Sequence, residues 1–86
     1  IMKTFTYTIT DPEGIHARPA GLLVKKAAEF PCSITLKKGE KTADAKRIFA
    51  VMSLAAKKGE ELTVVCEGDQ EEAAAAAMEA FLKENL

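Results

Sequence analysis

Three short runs in this chain alternate apolar and polar residues with a period of two, and that pattern constrains the fold more than any other feature. In residues 3–10, KTFTYTIT, Phe5, Tyr7 and Ile9 alternate with threonines. Cys32, Ile34 and Leu36 alternate with Ser33, Thr35 and Lys37. In residues 61–67, ELTVVCE, Leu62, Val64 and Cys66 fall on one side. Each run predicts a strand with one buried and one wet face. A sheet built from such strands must be covered on one side only. Lys38-Gly39 supplies a tight turn, and Glu40 to Asp44 returns as a short further strand.

The segments between these runs have helical spacing. From Ala17 to about Phe30, Ala20, Leu23, Val24, Ala27 and Ala28 line one face, and Pro31 stops the pattern. Arg47 to Lys58 is predicted helical, with Gly59 as its C-terminal stop. Asp69 and Glu72 form a three-apart capping pair ahead of a last helix that turns Ala74, Ala77, Met78, Phe81 and Leu82 inward. The order is β-α-β-β-α-β-α. The expected architecture is an α/β two-layer open-faced sandwich: a four-stranded antiparallel sheet covered on one face by three helices. At 86 residues one domain is expected, spanning 1–86.

Charge and cysteine content exclude several function classes. Twelve basic and 13 acidic residues leave a net charge of −1, so no basic excess points to nucleic acid or to an anionic membrane surface. No run reaches membrane-spanning length. Ile1 stands ahead of Met2, the expected natural start, and without an export signal a cytoplasmic location is expected. Cys32 and Cys66 lack metal-site spacing and read as reduced core residues. One histidine without clustered cysteines or carboxylates cannot hold a metal, and no cofactor is expected.

That histidine, His16, sits in DPEGIHARPAGLL, residues 11–23. Asp11-Pro12-Glu13-Gly14 has the pattern of a type I turn, with Pro second and Gly fourth. His16 then falls at the expected N-cap of the first helix. It is either an unimportant surface cap or a nucleophile set above an anion site. The first backbone N–H groups of a helix lack internal partners, and the helix dipole makes that end positive. The Ala17 and Arg18 amides would face a phosphoryl group on His16, and the Arg18 guanidinium would add charge-assisted bonds. Pro19 lies in the first turn, where its missing N–H costs little. Ala17, Ala20 and Gly21 are small enough for another protein to approach closely.

The stretch from Ile48 to Ala56 is apolar nearly all round, yet a domain this small has no room to bury it. Val51, Leu54 and Ala55 are expected to face the core. Ile48, Phe49 and Met52 are expected near solvent as a partner-docking patch.

Several of these segments resemble one known family. GIHARPA (residues 14–20), GEKTADAK (39–46) and VMSLAAKKGEELTV (51–64) are similar to HPr, the histidine-containing phosphocarriers of the bacterial sugar phosphotransferase system, over essentially the whole chain from Met2. The resemblance implies that His16 accepts a phosphoryl group on Nδ1 from Enzyme I and passes it to an enzyme IIA. It implies that Arg18 assists, and that the chain is a carrier, not an enzyme. Weak, transient partners and a monomer are expected. An HPr-like regulatory role for His16 phosphorylation, outside transport, is the alternative. The resemblance also places Cys32 and Cys66 toward the same end of the sheet. Many HPr proteins of low-GC Gram-positive bacteria carry a regulatory serine just before the second helix. Here that position is Arg47, which cannot accept phosphate.

Overall fold

A computed structural model describes residues 2–86; Ile1, expected to precede the natural start, lies outside them. The elements are β1 (Met2–Thr8), α1 (Ala17–Ala27), β2 (Ser33–Lys38), β3 (Lys41–Asp44), α2 (Ile48–Ser53), β4 (Glu61–Glu67) and α3 (Glu71–Asn85). The sheet order is β1-β4-β2-β3, and every neighbouring pair is antiparallel. This is the open-faced sandwich that the alternation implies. Among the described residues no helix is long and apolar enough to cross a membrane.

The register explains the layers. Leu36 stands opposite both Val64 and Ala43, Ile34 opposite Cys66, and Tyr7 opposite Leu62. All but Tyr7, on the outer strand, are buried. Against them pack Ala20, Leu23 and Ala27 of α1, Val51 of α2, and Ala74, Met78, Phe81 and Leu82 of α3. Among the described residues no polar or charged side chain is buried, so apolar burial supplies the core. Truncating one such leucine to alanine costs about 2–5 kcal/mol, a large share of a small domain's stability.

Several local expectations are corrected. The turn between β2 and β3 is Gly39-Glu40, not Lys38-Gly39, with Gly39 at φ 60°. Helix α1 ends at Ala27, and Ala28 is exposed instead of facing the core. Pro31 disfavours helical geometry at the residue before it, and the chain tightens ahead of it. Glu29 N–H donates to the Lys26 carbonyl at 3.1 Å, and Phe30 N–H to the Ala27 carbonyl at 3.2 Å.

Helix α2 is six residues long, not the span Arg47 to Lys58. Leu54 and Ala56 both drop into the core, and Ala55 between them takes a left-handed φ of 50°, which ends the helix and leaves Ala55 exposed. Gly59 belongs to the turn that follows, where its N–H donates to the Ile9 carbonyl at 2.8 Å. At the start of α3 the N-cap is Gln70, at φ 65°, without a side-chain cap. The reciprocal carboxylate is Glu71, which accepts the Gly68 N–H at 3.0 Å, while Glu72 reaches Lys3 at 3.2 Å. The left-handed Gln70 shifts the phase by one residue. In α3, Ala77 is half-buried instead of fully inward.

Cys32 and Cys66 are free thiols, both buried. Cys32 lies one residue ahead of β2 against Gly68, where a Cβ would meet its Cα and Cβ at 3.4 Å. The two therefore sit near the same end of the sheet. Burial, followed by the neighbouring Cys32 and Glu71, pushes the Cys66 thiol up to about 11.

Candidate functional site

The segment leading to His16 is built almost entirely from backbone hydrogen bonds. Gly14 N–H donates to the Asp11 carbonyl at 3.0 Å, closing the expected turn, and the Asp11 carboxylate accepts the Glu13 N–H at 2.8 Å. Gly14 adopts φ 67°. Ile15 is buried, and its N–H donates to the Ala56 carbonyl at 2.9 Å. On the other flank, the Leu86 carbonyl oxygen accepts the Thr10 N–H, the Asp11 N–H and the Thr10 hydroxyl, at 2.6, 2.7 and 2.8 Å.

His16 caps α1 in extended geometry (φ −118°, ψ −175°), with its side chain making no cap hydrogen bond. Its carbonyl accepts the Ala20 N–H at 2.9 Å. Ala17 and Arg18 are the first two helical residues, so their amides have no helical acceptor. The first turn of α1 holds no acidic residue. Among the described residues Arg18 makes no ion pair, and it is exposed. Pro19 is buried in that turn.

His16 is half-buried and lines a cleft of about 250 Å³ with Arg18, Pro19 and Leu22, closed on the other side by Asp11, Glu84 and Asn85. Glu84, Asn85 and Leu22 are the contributions that local sequence reading misses. The first two come from the far end of the chain, with no local signal. Leu22 does carry one, because it lies off the apolar stripe of α1 and is exposed. A larger open depression lies at Lys3 and residues 68–72. It sits at the start of α3, about 20 Å along that helix from Glu84. It holds three carboxylates and one lysine, with no histidine among its lining residues.

Of the expected docking residues, Ala17 is exposed and Gly21 is half-buried, 3.8 Å from Ile48 Cδ1 when a Cβ is placed on it. Helices α1 and α2 therefore share one face. Ala20 is the exception. It is fully buried, because it lies on the same helical stripe as Leu23 and Ala27, and it offers nothing to a partner. Ile48, Phe49 and Met52 are 36%, 84% and 37% exposed. Arg47 is the exposed N-cap of α2.

Residues 3–84 match the family described as the PTS HPr component phosphorylation site. The phosphocarrier protein HPr of Lysinibacillus sphaericus is 46% identical over 83 residues, covering 96% of this chain and 94% of that protein. The solved histidine-containing phosphocarrier protein of a mycoplasma superposes with a TM-score of 0.92 at 36% identity, covering 95% of this chain and 93% of its own. Crh, a catabolite repression protein of Bacillus subtilis solved as a domain-swapped dimer, superposes with a TM-score of 0.78 at 34% identity, covering 93% and 92%. The family match over residues 3–84, the identity to a phosphocarrier protein HPr and the shared fold place the chain in the HPr family of phosphocarrier proteins.

Proposed function

We propose that this chain carries a phosphoryl group on His16, taking it from phosphorylated Enzyme I and passing it to an enzyme IIA during sugar uptake. The observation that carries this reading is the combination at one helix start: a capping histidine, two amides without helical acceptors, an Arg18 that makes no ion pair among the described residues, and no carboxylate in the first turn. The imidazole Nδ1 attacks the phosphorus as the donor's P–N bond breaks, and the electron pair of that bond returns to the donor histidine. Onward transfer is the same exchange in reverse, with His16 as leaving group. The chain supplies position and charge: the positive helix end and the Arg18 guanidinium stabilise the phosphoryl oxygens. Ile48, Phe49 and Met52, with Ala17 and Gly21 beside them, dock donor and acceptor in turn. A carrier that must leave after each transfer needs a small, transient interface.

The chain is in this reading a cytoplasmic protein, a substrate of its partners and not an enzyme, and it acts as a monomer. The test is incubation with phosphoenolpyruvate and Enzyme I, with detection of acid-labile phosphate. Wild type takes up one such group and His16→Ala takes up none; label retained on His16→Ala would move the site elsewhere. The likeness to Crh supports a second reading, in which the phosphorylated domain controls a regulatory partner. Transfer to an enzyme IIA separates the two.

A further inference from the structure

We infer that the loop following α2, acting through the Ala56 carbonyl, is the positioning element that sets His16 for transfer, an inference that rests on the proposed carrier role and adds a residue to it. The argument starts from where His16 gets its direction. Its own side chain makes no cap hydrogen bond, so its orientation is inherited from the backbone before it. That backbone is held at Ile15, whose N–H donates to the Ala56 carbonyl at 2.9 Å. At Gly14 the approach is closer still. A Cβ there would overlap the Ala56 carbonyl oxygen and come within 2.8 Å of Lys57 Cα. Gly14 also has φ 67°, so both space and conformation require glycine.

The Ala56 side of the contact is equally constrained. Ala55 takes φ 50°, a conformation that costs a residue with a Cβ, and Ala56 is buried immediately after it. Lys38 Nζ lies 3.3 Å from the Ala55 carbonyl and 3.4 Å from a Glu60 carboxylate oxygen, and that same carboxylate oxygen accepts the Lys57 N–H at 2.7 Å. The end of the loop is stitched to β1's exit by Ile9 N–H to the Glu60 carbonyl and Gly59 N–H to the Ile9 carbonyl, at 3.0 and 2.8 Å. A loop that contains a strained residue and is held at this many points suits a part whose task is to hold a neighbour still. The loop also continues directly from α2, whose exposed residues form the docking patch. One stretch of chain thus fixes both where the partner sits and where the imidazole sits. In-line transfer depends on that relative placement to about an ångström.

Two variants test the inference. Semisynthetic replacement of the Gly14–Ile15 amide by an ester deletes the Ile15 N–H and adds no bulk; Gly14→Ala pushes the two segments apart. Each is read by the nitrogen NMR signals of the His16 ring and by kcat and KM for phosphoryl transfer from Enzyme I. Both variants should move the ring signals and lower kcat about ten- to a hundredfold, with KM within about twofold because the docking patch is intact. A folded ester variant with unchanged kcat would overturn the inference. If Gly14→Ala does not fold, the ester variant decides alone. If wild type accepts no phosphoryl group, the carrier reading fails separately; ring signals displaced in the ester variant then still support positioning by Ala56, and unmoved signals overturn it.

Discussion

The docking reading makes opposite demands on two residues of one six-residue helix. Phe49 is 84% exposed, so truncating it to alanine removes little packing from the free protein. The stability change should stay within about 0.5 kcal/mol, which for a chain of this size moves Tm by no more than about 4 °C. Burying a phenylalanine against a partner contributes about 1.5–3 kcal/mol. Phe49→Ala should therefore raise KM for phosphorylation by Enzyme I roughly 10- to 150-fold, with kcat nearly unchanged. Val51 lies two residues on and is fully buried. Val51→Ala should cost about 1.5–3 kcal/mol and lower Tm by about 6–24 °C, through the core and not the interface. Thermal unfolding by circular dichroism and rapid-quench phosphoryl transfer give both quantities on the same samples. If Phe49→Ala lowered Tm as much as Val51→Ala, or left KM where it was, the assignment of faces on α2 would be wrong.

Arg18→Ala should leave Tm within a few degrees, since among the described residues no carboxylate pairs with Arg18, and should slow phosphoryl transfer about ten- to a hundredfold; Arg18→Lys should recover only part, because a point charge replaces a planar fork. Cys66 supplies a pH test. Its thiol is raised from 9.0 to about 11, so the fold favours the neutral form: the contribution is full below pH 9 and is lost as pH rises from 9 toward 11. Urea unfolding across that range should show a shallower alkaline loss in Cys66→Ala. Ala55→Gly should raise stability by about 0.5–1 kcal/mol, measured by urea unfolding, because relief of the left-handed alanine outweighs the entropy added to the unfolded chain.

What the sequence makes legible is whatever depends on periodicity. The rows Ile34–Leu36 and Leu62–Val64–Cys66 had to share one face, and the β4 boundaries follow from that alternation and a flanking glycine. His16 as N-cap is legible because turn chemistry and helix onset are local. The end of α2 is not, because RIFAVMSLAAKK has good helical composition throughout. Only the demand that both Leu54 and Ala56 be buried forces the left-handed residue between them, and that demand comes from the sheet. The cleft beside His16 is hidden for the same reason: Glu84 and Asn85 arrive through tertiary packing of α3. Ala20 shows a subtler failure. It belongs to the apolar stripe of α1, and small size near His16 does not outweigh that phase.

Stability and chemistry are drawn from separate groups in this fold. The core holds no buried polar or charged side chain among the described residues, and its one titrating thiol with a shifted pKa, Cys66, is kept neutral by burial. In the proposed carrier role, the groups offered to a phosphoryl oxygen are the reverse: two amides without helical acceptors, an Arg18 that makes no ion pair among the described residues, and a first turn of α1 without an acidic residue. Each would gain from a native counter-charge of its own, and any such charge would compete with phosphate for the same donors. Arg47 extends the pattern to α2, where a basic residue caps a positive helix end that also lacks an acidic first turn. The unfavourable local electrostatics at both helix starts are tolerable because the sheet and its three helices supply the folding free energy elsewhere. Adding a carboxylate at Ala17 should therefore stabilise the free protein slightly while weakening its hold on a phosphoryl group.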